Sequence, residues 1–385
     1  MIAADVYAGG TLVGHFTDRP DGLLEFIYLE SAARPVATSL PITQEPYITA
    51  GGALPPFFTN LLPEGRRLST LKRMTKTSLD NELALLLAVG SDTIGDVSVV
   101  APGEVPTPAP ATIDLDSELD FTSALSRAGV TDPVAVPGVQ DKASARTIAA
   151  PVRGKGRDFI LKVSPPEYPR LVENEYACFG IASATRYPIA RTQLLHDVHG
   201  RAGLLVSRFD RVGKAGEHRL HVEDAAQIMG LYPSGKYDPS MEDLARALME
   251  VSSSPQLTGR SIAFQTALAW LSGNGDLHAK NLSLIWRGDT VEVSPIYDIP
   301  STVPYGDTSM ALAVQGRKDN ISAKIFRAFC SEIGLTDRAA ERVMAVALKA
   351  TEGAAERIIA ATNFDARRAR DLTRVLARRR RLWEA

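Results

Sequence analysis

The chain is short of cysteine, of net charge and of long apolar runs, and each shortage removes a class of protein. Two cysteines in 385 residues, Cys178 and Cys330, do not make a disulfide framework. Both sit in apolar, helix-like contexts without metal-ligand spacing, so they read as buried thiols in a reducing compartment. With 43 basic and 45 acidic residues the net charge is -2, which leaves no global electrostatic footprint for nucleic acid or a membrane surface. No stretch approaches the ~18 uninterrupted apolar residues of a membrane span, and Met1 to Asp5 carry no basic segment ahead of an apolar run. What remains is ordinary globular composition, 45% hydrophobic and 23% charged, enough for two or three domains. The expectation is a soluble cytoplasmic protein without a membrane partner.

From Ala3 to about Tyr28, apolar and polar residues alternate around Gly9-Gly10 and Asp18-Arg19-Pro20, which predicts an antiparallel meander. A proline-rich loop and the segment Asn60-Leu61-Leu62-Pro63-Glu64-Gly65 follow, then a helix through Leu83 to Leu87 ending at Gly90, and a strand over Ile94 to Val100. The stretch 101–110 holds Pro102, Pro106, Pro108 and Pro110 without periodicity and marks a linker. A β-rich domain over residues 1–105 is the consequence. Beyond the linker, Ser144 to Ala149 is a possible strand, Phe159 to Val163 a short apolar strand carrying Lys162, and Glu173 to Ala184 a helix carrying acids. That pattern suits a kinase small lobe over 106–210. From Met241 onward helices dominate, so 211–385 reads as a mainly helical large lobe, with the run Phe264 to Leu271 leading into a polar loop. The fold class is therefore α+β: a protein-kinase-like two-lobed fold with a mixed small lobe, a mainly helical large lobe and a small β-rich N-terminal domain.

The polar loop, Gly275-Asp276-Leu277-His278-Ala279-Lys280-Asn281, is followed by Asp298 in Tyr297-Asp298-Ile299. An acid, an amide at Asp-x-x-x-x-Asn spacing and a second acid beyond a hairpin are the parts of a phosphoryl-transfer site. Asp276 would accept the proton of an attacking hydroxyl. Asn281 and Asp298 would hold Mg2+ against the phosphates of ATP, since that hard cation prefers oxygen ligands. The alternative is that Asp276 and Asn281 cap a turn between a helix and a strand. Ile299-Pro300 stands where protein kinases carry Phe-Gly. His278 either braces the loop backbone or transfers protons, and Lys280 either steadies the transferred phosphate or faces solvent.

Lys162 lies inside an apolar strand, where an unpaired ammonium would cost several kcal/mol, so it needs a phosphate or a carboxylate. Glu173 and Glu175 are the candidate acids, with Glu175 preferred. Gly138, Val139, Gln140, Asp141 and Lys142 form a weak phosphate-loop candidate or an ordinary turn. Arg208 and Phe209, at the end of an apolar strand, suit either a hinge where adenine meets backbone groups or a plain strand end. The arginines between Arg367 and Arg381 form a solvated helix face or a contact for an acidic partner or nucleic acid.

In this order the segments resemble the HipA family, the serine/threonine kinase toxins of type II toxin-antitoxin modules. Asn60 to Pro63, Val89 to Asp92, Gly138 to Lys142, Leu161-Lys162, Glu173 to Tyr176, Arg208 to Arg211, Glu223-Asp224, Asp276 to Asn281 and Tyr297 to Ile299 carry the resemblance. It implies ATP and Mg2+ as cofactors and phosphorylation of a protein serine or threonine. The expected substrate is an aminoacyl-tRNA synthetase, with the glutamyl enzyme favoured, whose modification arrests growth and induces persistence. A small helix-turn-helix antitoxin, through which the toxin meets operator DNA, is the implied partner. By motif, Asp276 resembles the catalytic base, Asn281 and Asp298 the metal ligands, Lys162 the ATP-phosphate lysine and Gly138 to Lys142 the phosphate loop. Ala135 stands where the family often has an autophosphorylated serine, and neither Thr131 nor Ser144 is an obvious replacement. A small-molecule phosphotransferase and an inactive nucleotide-binding scaffold are the alternatives.

Overall fold

The computed structural model describes residues 3–50, 52–75, 81–108, 111–128, 147–213 and 216–384. The first strands follow the alternation in the sequence. β1 (Ala3–Ala8) and β2 (Thr11–Asp18) are joined by Gly9 and Gly10, whose φ angles of 59° and 82° lie where glycine sits without strain. β3 (Leu24–Tyr28), β4 (Tyr47–Thr49) and β5 (Val97–Val100) complete an antiparallel sheet of order β4-β3-β2-β1-β5. The helices α1 (Pro56–Thr59), α2 (Gly65–Thr75) and α3 (Glu82–Val89) share an apolar cluster with the sheet. At its centre Phe58 meets Phe16 and Phe26 edge-on, with ring centroids 4.8 and 5.2 Å apart. The last strand begins later than the Ile94 read from the sequence. Gly95 takes a φ of 80° and turns its N–H onto Asp210, so extended backbone starts only at Val97.

The second sheet comprises β6 (Ala111–Thr112), β7 (Ile148–Gly154), β8 (Arg157–Val163), β9 (Thr192–His196) and β10 (Ala202–Ser207), in the order β6-β7-β8-β10-β9. It carries α4 (Phe121–Arg127) and α5 (Leu171–Ala182). β7 takes in Ile148 and Ala149 of the possible strand read at Ser144 to Ala149, whose first three residues lie outside the described ones, and α5 starts just before Glu173. Strand alternation on β10 serves two cores: Leu205 joins Phe121, Val152 and Leu161, whereas Leu204 and Val206 face the larger cluster that holds the helical lobe.

The short pair β11 (Arg211–Val212) and β12 (His218–Arg219) leads into β13 (Val222–Asp224), which pairs with β14 (Ser283–Arg287) and through it with β15 (Thr290–Val293). The remaining helices are α6 (Ala225–Ile228), α7 (Met241–Val251), α8 (Pro255–Ser272), α9 (Ala323–Glu332), α10 (Asp337–Ala350), α11 (Ala354–Thr362) and α12 (Ala366–Glu384). α8 buries Ile262, Phe264, Leu268 and Trp270 together, as a helix apolar around its circumference does at the centre of a lobe. On α12 the arginine-rich stretch is not wholly a solvated face. Arg379 is buried, donates to the Trp270 and Thr308 carbonyls, and lies 4.0 Å from the centroid of the Trp270 ring. Among the described residues no helix is long and apolar enough to cross a membrane. The chain is thus α+β, with a mixed small lobe, a helical large lobe and a β-rich N-terminal domain.

Candidate active site

On β8, Lys162 alternates with the buried Leu161 and Val163 and so leaves the sheet on the opposite side. Its Nζ lies 2.7 Å from Oε1 of Glu175 on α5 and 2.7 Å from Oδ1 of Asp298. Of the two acids read as partners, Glu175 is the one that reaches it, while Glu173 pairs with Arg170 at the start of the helix. Burial alone would lower the Lys162 pKa, but the Asp298 and Glu175 charges raise it above the ordinary value. Burial pushes Glu175 up to about 7 against the pull of Lys162. Asp298 also feels burial, yet Lys162 outweighs it and holds this carboxyl below its ordinary value. Beside the same ammonium, the two acids thus shift in opposite directions, Glu175 up and Asp298 down. Its φ of 55° is left-handed and not glycine's, a conformation that costs on the order of 1–3 kcal/mol and persists where surroundings enforce it. Here Lys162 grips one carboxylate oxygen and Asn281 Nδ2, 2.8 Å away, grips the other.

Asn281 reaches that point because α8 ends at Gly273 and the loop after it is built from side-chain caps. Asp276 is buried; its N–H donates to Asn274 Oδ1 at 2.9 Å and its Oδ1 accepts from the Tyr237 hydroxyl at 3.1 Å. His278 opens a short 3-10 turn over Ala279–Asn281: its Nδ1 accepts the Lys280 N–H at 3.2 Å, and its own N–H donates to Asn281 Oδ1 at 3.2 Å. Burial, helped by the nearby Lys236 charge, pushes the imidazole down to about 3, so it is neutral. Of the two roles open to His278, bracing is the one this geometry supports. Beneath the turn the Tyr297 hydroxyl donates to the Lys280 carbonyl at 2.7 Å.

The N-terminal domain forms part of this site, which the sequence did not reveal. Lys280 stands in the wall of the cleft between the lobes, with its ammonium turned onto the N-terminal domain. Its Nζ lies 3.1 Å from the Asn60 carbonyl, 3.0 Å from Asn60 Oδ1 and 3.1 Å from Glu64 Oε1. The second Glu64 oxygen pairs with Lys236, and the two lysines hold that carboxyl down to about 2 despite its burial. A second polar seam runs beside it. Arg208 pairs with Asp210 and Asp92, each at 2.9 Å, and donates to the Thr93 carbonyl. Arg211 adds a 2.8 Å bond to Asp92, and Arg219 donates to the Gly95 carbonyl. The guanidinium of Arg208 is thus engaged with the N-terminal domain, while its backbone N–H donates to the Asp158 carbonyl at 3.0 Å. The signal for this was present but mute: Asn60 to Glu64 stood out as a motif without a visible partner.

Between the lobes and the N-terminal domain lies a cleft of about 350 Å³. Ile160 and Lys162 line it from the small lobe, Val206 to Asp210 from the connection, Asp224, Tyr297 and Asp298 from the large lobe, and Leu61 to Glu64 from the N-terminal domain. Phe209 packs on Tyr297 at 5.6 Å between ring centroids. Gly138, Val139, Gln140, Asp141 and Lys142, together with Thr131, Ala135 and Ser144, lie outside the described residues. Among the described residues no three His, Cys, Asp or Glu side chains gather into a metal cage.

Comparison with known proteins agrees with this arrangement. Residues 4–100 match the HipA N-terminal domain family and residues 134–355 the HipA-like C-terminal domain family. Y4mE of Sinorhizobium fredii is 28% identical over 366 residues, 86% of each chain. The serine/threonine-protein kinase toxin HipA of Shewanella oneidensis is 28% identical over 315 residues, 72% of this chain and 71% of that one. In solved structures, a chain of the Shewanella oneidensis HipA, HipB and operator DNA complex superposes with a TM-score of 0.78 at 21% identity, covering 99% of this chain and 97% of the other. That likeness makes the two-lobed fold kinase-like. With both its N-terminal and C-terminal regions matched, this chain belongs to the HipA family of serine/threonine kinase toxins.

Proposed function

We propose that this chain transfers the γ-phosphate of ATP to a serine or threonine of a protein, and that it does so as the toxin of a toxin-antitoxin module. The observation that carries the reading is the meeting of Lys162, Asp298 and Asn281 at one edge of the cleft, with Asp276 on the same loop as Asn281. Lys162 would hold the ATP phosphates, Phe209 and the neighbouring backbone the base, and Asp276 would orient the attacking hydroxyl and accept its proton. Tyr237 fixes the Asp276 carboxylate for that task, since its hydroxyl donates to one of the two oxygens. By their motif, Gly138 to Lys142 would serve as the phosphate loop.

Mg2+ fits the donors present. It is held by one or two protein oxygens and completes its shell with substrate phosphates and water, so the lack of an acidic cage is no obstacle. The Asp298 carboxylate, kept ionised by Lys162, and the Asn281 amide would hold it. When bound, the ion neutralises charge that develops on the phosphates. A helix-turn-helix antitoxin as partner, with operator DNA met through it, is supported by the likeness to a chain from the HipA, HipB and operator DNA complex. An aminoacyl-tRNA synthetase, the glutamyl enzyme first, is the proposed substrate, and the cytoplasm the proposed location.

The test is transfer from γ-labelled ATP with Mg2+ to a panel of purified aminoacyl-tRNA synthetases, for this chain and for Asp276→Asn. Label on one synthetase that disappears with the substitution is the expected result. Label on a small molecule alone would move the assignment to a small-molecule phosphotransferase. Absence of label despite ATP binding would leave a scaffold that acts through its partner.

A further inference from the structure

We infer that Glu64 and Asn60 of the N-terminal domain are positioning residues for the loop that carries Asp276 and Asn281. The inference rests on the kinase reading of that loop. An ammonium has three donors. In Lys280 two of them go to the Asn60 carbonyl and Asn60 Oδ1, and Glu64 Oε1 lies 3.1 Å away as its ion-pair partner, so the ammonium is held from the N-terminal domain. Lys280 is therefore an anchor for the N-terminal domain. It is also the middle residue of the turn Ala279–Asn281, so what fixes its side chain fixes the adjacent Asn281, whose Nδ2 holds Asp298. Glu64 extends the hold to a second point, because its other oxygen pairs with Lys236, whose carbonyl accepts the Ala279 N–H at 3.2 Å. One carboxylate thus spans two lysines that contact the same turn, and without it Lys280 would keep only the more distant Asp224 carboxylate at 4.0 Å.

Two arrangements would place Glu64 here: a brace that holds the loop for reaction, or a plug that must leave before reaction. The surroundings favour the brace. The contacts among Lys162, Asp298 and Asn281 are complete with Glu64 in place. The N-terminal domain is also pinned through Asp92, Thr93 and Gly95 to the buried Arg208 and to Arg211 and Arg219, so Glu64 is not on a free flap. Asn60 Nδ2 adds a bond to the Leu231 carbonyl at 2.7 Å. Withdrawing Glu64 as a plug would mean dismantling a buried domain interface.

The experiment uses the full chain and compares wild type, Glu64→Gln and Glu64→Asp, with Asn60→Ala as a second way to remove an acceptor of Lys280 should Glu64→Gln fail to fold. Steady-state transfer and, without nucleotide, amide hydrogen exchange across residues 276–282 are measured. Glu64→Gln is expected to lower kcat by roughly 10- to 100-fold while the KM for ATP changes by less than about threefold, with Glu64→Asp recovering most of the rate, as for residues that orient a reacting group without touching it. Exchange across 276–282 is expected to quicken. Unchanged exchange with unchanged kcat overturns the inference, and a raised kcat overturns it in favour of a plug. Quickened exchange in a family of proteins that transfers no label even as wild type would overturn the kinase reading and leave the positioning role standing.

Discussion

Lys162 and Asp298 touch at 2.7 Å although 136 positions separate them in the chain. The contact crosses from the small lobe to the large one, and its third member, Glu175, is the weaker acid because burial has raised it to about 7. Removing different members should therefore have unequal effects. Lys162→Met leaves two buried carboxyls facing each other and is expected to cost about 3 kcal/mol in urea denaturation, with transfer reduced about 100-fold or more. Glu175→Gln keeps the Lys162 and Asp298 pair and is expected to cost about 1 kcal/mol with a smaller loss of rate. Equal destabilisation by the two would show that the charges of Glu175 and Asp298 are shared evenly.

A second prediction concerns the residue just before Asp276. A Cβ on Gly275 would lie 2.4 Å from the Ser309 carbonyl oxygen and 2.6 Å from Thr302 Oγ1, and the first of these is backbone that cannot swing aside. Gly275→Ala is expected to cost about 1–3 kcal/mol by overpacking and to lower transfer further than the lost stability explains, because relief of the clash displaces Asp276. Gly180 in α5 is the control. Nothing lies within 4 Å of its Cβ position, so Gly180→Ala is expected to stabilise by about 0.5–1 kcal/mol through helix propensity. Thermal melts of the two variants, with transfer measured on each, check the pair.

Much of this site was legible in the sequence, and the limit falls at contacts between distant segments. Lys162 stood out because a lone cation in an apolar strand demands an anion, and Glu175 was the preferred partner from its place in the following helix. The loop after α8 and Asp298 beyond the hairpin are set by local spacing, so they too were visible. Lys280 was not: its partners Asn60 and Glu64 are more than two hundred residues away, and no periodicity links a lysine to an acid across such a span. Arg379 misled for a related reason. It belongs to a charged stretch that reads as a solvated helix face, yet it is buried because carbonyls from other segments take up its guanidinium.

His278 offers a third prediction, since its ring acts as a cap. Nδ1 accepts the Lys280 N–H, and asparagine can accept at the same position in a helical cap. His278→Asn is expected to keep transfer within about threefold of wild type, whereas His278→Leu removes the acceptor, costs about 1 kcal/mol and lowers transfer at least tenfold. The pH–rate profile of the wild type should show no step near the ordinary imidazole value, because this ring is held neutral down to about pH 3. A step near pH 6.5 that vanishes in His278→Asn would instead assign the ring to proton transfer.

The seams of the N-terminal domain predict how stability depends on pH. Burial would raise Glu64 and Asp210, but Lys280 and Lys236 hold the first down to about 2 and Arg208 and Arg211 hold the second down to about 2. A folded-state pKa below the unfolded one gives stability that is complete above the unfolded value and is lost as pH falls toward the folded value. Both acids thus destabilise the chain between about pH 4.5 and about pH 2. His221 acts in the opposite sense. Burial would lower it, yet Asp96 at 2.8 Å and Glu223 at 3.0 Å raise it to about 9. Its contribution is complete below the ordinary imidazole value and is lost as pH rises through about 9. Urea midpoints at about pH 3, about pH 7 and about pH 9.5 should be highest in the middle. Glu64→Gln should shrink the acid loss and leave the alkaline one, and His221→Gln should do the reverse. A single substitution that flattened both limbs would mean that the two seams titrate as one network rather than as separate contacts.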